Sequence, residues 1–138
     1  MQYFQINKLQ NDFIDFLRKN DVDIVPLITK SDLDKTGVKP KVFLQFVQNR
    51  WIAPLKMEVV FNVYIVHKTL GGTGDHSIID IMDRIRPLLA SARVEYEPYV
   101  SKRNYVKIED ESFAETNSMA FIYVIRFSIE ASIFKERK

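Results

Sequence analysis

Met57-Glu58-Val59-Val60-Phe61-Asn62-Val63-Tyr64-Ile65-Val66-His67-Lys68 is the stretch that decides the fold. Every second residue from Met57 to Ile65 is apolar, so a period of two puts an unbroken apolar row on one side of a strand. The other side is mixed, with Glu58, Val60, Asn62, Tyr64, Val66 and Lys68. Upstream, Val42 to Arg50 alternates in the same way. Val42, Leu44 and Phe46 share one face; Phe43, Gln45 and Val47 share the other. Asn49-Arg50-Trp51-Ile52-Ala53-Pro54 reads as the turn, so the two runs predict an antiparallel hairpin with a longish loop. Downstream, Met119 to Phe134 is the longest strand. Its odd residues are apolar throughout, and its even residues pass from Ala120, Ile122 and Val124 to Arg126, Ser128, Glu130 and Ser132.

Two helices accompany these strands. Ile6, Leu9, Phe13, Phe16 and Leu17 recur at helical spacing within Gln5–Lys19. Ile78, Ile81, Met82, Ile85, Leu88 and Leu89 do the same, with Ser77 as N-cap and Asp80 three residues on. Pro87 lies inside this second pattern and predicts a kink or an early end. Val22–Ile28 is β-rich but holds Pro26, which places it at an edge. Val94–Val100 and Asn104–Ile108 read as extended, and Glu109–Ser118 as an acidic polar loop. The expected class is α+β: a mostly antiparallel sheet of long strands, with two helices packed on one face.

The bulk numbers fit a single domain over residues 1–138, with a charged tail at 135–138. Apolar residues make up 46% and charged residues 28%, enough for a core. Net charge is +2, from 20 basic and 18 acidic residues, and this gives no nucleic-acid footprint of its own. Cysteine is absent, which excludes disulfides and Cys-based zinc sites and agrees with a reducing cytoplasm. Met1–Leu9 has no apolar signal region, and no apolar run approaches a membrane span.

Motifs for chemistry are few. His67 and His76 are the two histidines, without the further ligands of a metal site. Ser31–Gly37 lacks the acid spacing and closing Glu of a calcium loop. Gly71-Gly72-Thr73-Gly74 precedes a helix, as an anion cradle would, but matches neither phosphate-loop pattern, and Asp75 would repel a phosphate. Asp80 and Asp83 share a helix face, where carboxylates more often complement the helix dipole than perform acid–base work. Lys102 and Arg103, flanked by Tyr99 and Tyr105, form a short basic cluster suited to stacking on bases. No catalytic, cofactor-binding or metal residue is assigned, and no cofactor is expected.

Strand length carries the functional expectation. A chain of this size should be on the order of 35–40 Å across. A straight Met119–Phe134 strand would span roughly 50 Å at about 3.3 Å per residue. It must bend at a bulge or leave the domain and find a partner. Val60, Tyr64, Val66, Ile122 and Val124, apolar or aromatic on otherwise polar faces, are the candidate subunit contacts.

The layout as a whole is an amphipathic helix (Ile6–Leu17), a long hairpin (Val42–Arg50, Met57–Lys68), a Gly-rich loop opening a second helix (Ser77–Leu89), and a long last strand (Met119–Phe134). It resembles the tail-terminator, or tail-completion, proteins of long-tailed phages, including the Mu-like prophage group. The resemblance covers roughly Ile6 to Ile133, in length, element order and hydrophobic pattern. It implies a non-enzymatic structural protein that forms a ring, typically a hexamer. The ring would cap the tail tube, join it to the head-completion proteins and reside first in the host cytoplasm, then in the virion tail. DNA would only pass through the lumen, where Lys102 and Arg103 could face it, and no membrane is involved. Two other readings stay open. One is a small-molecule- or phosphate-binding domain, enzymatic or not, that uses Gly71–His76 with Asp80 and Asp83. The other is a nucleic-acid-binding module built on Lys102, Arg103, Tyr99 and Tyr105.

Overall fold

The computed structural model describes residues 4–27, 41–68, 76–92, 106–115 and 120–134. The elements run α1 (Ile6–Lys19), β1 (Ile24–Pro26), β2 (Lys41–Ala53), β3 (Lys56–Lys68), α2 (His76–Ala90), β4 (Lys107–Glu115) and β5 (Ala120–Ser132). The strands form one sheet in the order β1-β2-β3-β5-β4. All neighbours are antiparallel except β1 with β2. The fold is therefore α+β, as the alternation and the two helical stripes predict.

α1 forms because its apolar stripe can be buried along its length: Leu9, Phe13, Ile14 and Leu17 are all buried. It ends in a Schellman motif. The Val22 N–H donates to the Leu17 carbonyl at 3.0 Å and the Asp21 N–H to that of Arg18 at 3.1 Å. Asp21 takes the left-handed position at φ 63°, which a short polar side chain tolerates. Val22 and Leu17, both buried, supply the apolar contact that accompanies the motif.

The helices cover one face of the sheet. Phe13 is packed against Phe61 and Phe127, with ring centroids at 5.6 and 5.1 Å. Leu9 and Leu17 of α1 and Ile85 and Leu89 of α2 join the alternate residues Val59, Phe61, Val63 and Ile65 of β3 in one core. Ile125, Phe127 and Ile129 of β5 complete it. These are the apolar rows the period of two identifies.

β1 is short and parallel to β2, with Pro26 as its last residue. Proline is tolerated there because a sheet edge has no donor to lose. β3 and β5 pair without a register shift from Lys56↔Ser132 to Lys68↔Ala120. The long last strand thus needs no bulge of its own. The shifts fall on its neighbours, between Phe46 and Gln48 of β2 and between Ile108 and Asp110 of β4.

Four expectations need correction. The Asn49–Pro54 turn is mostly strand: β2 continues to Ala53, and only Pro54 and Leu55 turn the chain. Pro54 is suited to the first central position of a tight turn, so no long loop is needed. The Glu109–Ser118 loop is strand β4 as far as Glu115. Its carboxylates are accommodated because arginines meet Glu109 and Glu111. Ser77 lies inside α2, which begins at His76, so it is not the residue preceding the helix. Of the kink or early end expected at Pro87, the early end is not found, since α2 runs on to Ala90. Pro87 is exposed near the helix end, and its carbonyl accepts from the Ser91 N–H at 3.1 Å and the Ser91 hydroxyl at 2.8 Å. The strand expected at Val94–Val100 lies outside the described residues.

Candidate functional site

The register orders the sheet face opposite the helices into rows. Phe43 pairs with Tyr64 and Tyr64 with Val124; Gln45 pairs with Asn62 and Asn62 with Arg126; Val60 pairs with Ser128. The five residues expected as subunit contacts, Val60, Tyr64, Val66, Ile122 and Val124, therefore share one face. Val60 and Val66 are fully buried within the single chain and Ile122 nearly so, while Tyr64 and Val124 are half-buried. Phe43, Val66 and Ile122 form a second, smaller core with Leu27, Tyr64 and Val124 against it.

A polar chain crosses this face. Asn62 Nδ2 donates to the Tyr64 hydroxyl at 3.1 Å, and that hydroxyl donates to Gln45 Oε1 at 2.8 Å. Arg126 Nε donates to Asn62 Oδ1 at 3.2 Å. Such a network fixes side chains and lets Asn62 be buried without leaving its amide unpaired. Ser128 is buried beside it, and its hydroxyl has no hydrogen-bond partner.

Further along, Arg50 of β2 contacts Glu58 of β3 at 3.1 Å and Glu109 of β4 at 2.7 Å. In a flat sheet β2 and β4 would stand about 14 Å apart, three gaps of roughly 4.8 Å. The contact is made because two long side chains reach toward each other over the intervening strands. Hydrogen bonding to Glu109 raises the Arg50 pKa above its ordinary value, with smaller help from the nearby charges and some opposition from desolvation. On the helix face, Arg86 of α2 donates to Glu111 at 2.8 Å, and this bond likewise raises its pKa. β4 is thus held by an arginine on each face.

Apart from Val25 on β1, the large exposed apolar side chains among the described residues lie elsewhere. Trp51 (62% exposed), Ile52 and Leu55 stand at the tip of the β2–β3 hairpin. Phe134 joins them at the same end of the sheet, since the Ile133 N–H beside it donates to the Leu55 carbonyl at 2.9 Å. Phe113 (55% exposed) is on β4 opposite Tyr123, with the rings edge-to-face at 6.2 Å. Tyr123 is eight residues along β5 from Ala131, the partner of Met57 near the tip. At about 3.4 Å per residue, the two patches are roughly 27 Å apart. The tip was legible as Trp51-Ile52 beside Pro54, but reading that segment as a turn concealed its exposure on a strand end.

Of the remaining sequence candidates, Asp80, Asp83 and His67, which are among the described residues, are not gathered into a site. Asp80 and Asp83 are exposed on α2, with Asp83 3.5 Å from Arg86. His67 is near the end of β3, paired with Phe121, and His76 opens α2. Gly71–Asp75, Tyr99, Lys102, Arg103 and Tyr105 lie outside the described residues. Among the described residues, no group of three His, Asp or Glu is placed to hold a metal ion, and no helix is long and apolar enough to cross a membrane. No family model matches the chain, and no curated protein matches its sequence.

Proposed function

We propose that this chain is a structural subunit that assembles with copies of itself into a closed ring, and that the ring caps a phage-type tail tube and joins it to the head-completion proteins. The observation that carries this reading is the pair of apolar patches at opposite ends of one sheet, with Trp51 at one and Phe113 at the other. Two different patches on one subunit suit a heterologous contact, in which each copy offers one patch to the copy before it and the other to the copy after. Repeated with a rotation that returns to its starting point, that contact closes into a ring. The resemblance in element order supplies the tail-terminator context. The work of such a ring is arrest of polymerisation by shape-matched docking, without bond chemistry.

Negative-stain electron microscopy of the purified chain tests it. Closed rings of uniform diameter are expected, and uniform rings should also decorate the ends of purified tail tubes. A field of single small particles at every concentration would overturn the reading.

A further inference from the structure

We infer that the β2–β3 turn, the segment before α1 at Phe4 and the end of β5 form a backbone clasp that opens and closes as one unit, separately from the rest of the sheet. The inference stands independently of the ring reading above.

The clasp is two hydrogen bonds that share one residue. The Ile133 N–H donates to the Leu55 carbonyl at 2.9 Å, and the Ile133 carbonyl accepts from the Phe4 N–H at 2.7 Å. Ile133 lies beyond the last β3–β5 pair, Lys56↔Ser132, so that ladder does not hold it. Losing either bond frees the torsions of Ile133 that aim the other, which couples the two. The side chains reinforce the coupling. Phe4 is buried and Ile133 half-buried in the same core as Met57 and Ala131, the cross-strand pair next to the turn.

Leu55 is the strained member. Its φ of 68° is left-handed, where a Cβ crowds the following carbonyl, so glycine or asparagine is the usual occupant. That region confines ψ as well, and so fixes the direction of the carbonyl that receives Ile133. A strained conformation persists where its surroundings over-determine it. The Leu55 side chain is more than half exposed, so packing contributes little, and the bond from Ile133 joins the Ala53↔Lys56 pairing in holding the turn. A core end closed by one strained turn and two hydrogen bonds belongs to the low-stability range that opens without global unfolding. Closed, the clasp sets Phe134 at the same end as Trp51, Ile52 and Leu55; open, it releases Phe134, so the composition of the apolar tip follows its state.

The test is amide hydrogen exchange on the full chain at low concentration, resolved to single residues by fragmentation mass spectrometry. In the parent, the Phe4 and Ile133 amides should share one protection factor, roughly tenfold or more below that of Val63 and Ile125 in the β3–β5 ladder. Leu55→Val puts a β-branched side chain where φ is positive. It should speed exchange at Phe4 and Ile133 together by roughly tenfold or more, with Val63 and Ile125 unchanged. Leu55→Asn suits the left-handed position, so both amides should keep or gain protection. Acceleration of Ile133 alone in Leu55→Val would show two independent bonds and overturn the clasp. Exchange of Phe4 and Ile133 at unfolded-peptide rates in the parent would overturn it too. So would an equal acceleration of Val63 and Ile125 in Leu55→Val, which would make this end part of the global fold.

Discussion

The two ends of the β2–β3 hairpin are built from similar residues and meet opposite fates. At one end Val42, Leu44, Val63 and Ile65 are buried beneath the helices. At the other, Trp51, Ile52 and Leu55 are exposed. The difference is one of coverage. Helices of 14 and 15 residues rise about 1.5 Å per residue and span only 21–23 Å. Strands of 13 residues reach about 43 Å at roughly 3.3 Å per residue. The strands are longer than the helices, and Trp51, Ile52 and Leu55 remain exposed at the hairpin tip although Met57, the partner of Trp51, is buried.

The largest effect should come from the covered end. Phe13→Ala removes the ring at the centre of the Phe61–Phe127 cluster and should cost about 3–5 kcal/mol in urea unfolding. A loss below 1 kcal/mol would mean the helices do not hold this face. The next effect has the opposite sign. Leu55→Asn should stabilise the dissociated chain by about 1 kcal/mol, because it removes the left-handed penalty on a branched side chain. A marked destabilisation would show that Leu55 packs within its own chain after all. Ser128→Ala should be neutral or stabilising by up to about 1 kcal/mol, since the buried hydroxyl it removes makes no hydrogen bond. Substantial destabilisation would point to a buried water on Ser128. The smallest effect belongs to Trp51→Ala, within about 0.5 kcal/mol for the dissociated chain, as for exposed positions generally.

What the sequence disclosed follows the same division. Periodicity reports burial, so the helix stripe from Ile6 to Leu17 and the apolar row from Met57 to Ile65 were legible. Periodicity is silent where tertiary contacts overrule local composition. The acidic run Glu109-Asp110-Glu111 has the composition of a loop, yet it forms β4 because Arg50 and Arg86 reach it from distant elements. Trp51 and Ile52 were absorbed into a turn because Pro54 drew the boundary too early. Val60, Tyr64, Val66, Ile122 and Val124, expected as subunit contacts, share one face, but the burial of Val60, Val66 and Ile122 within the chain was not foreseeable. That depends on the packing of Phe43, Val66 and Ile122 with Leu27 from a distant strand end, and no local pattern encodes it.

The central claim is that this subunit is completed by copies of itself. The most direct measurement is the native mass of the parent chain by light scattering over a wide concentration range. The account predicts one discrete multiple of the 16.2 kDa chain, forming from smaller species as concentration rises. A mass that remains that of a single chain at the highest concentration would contradict it.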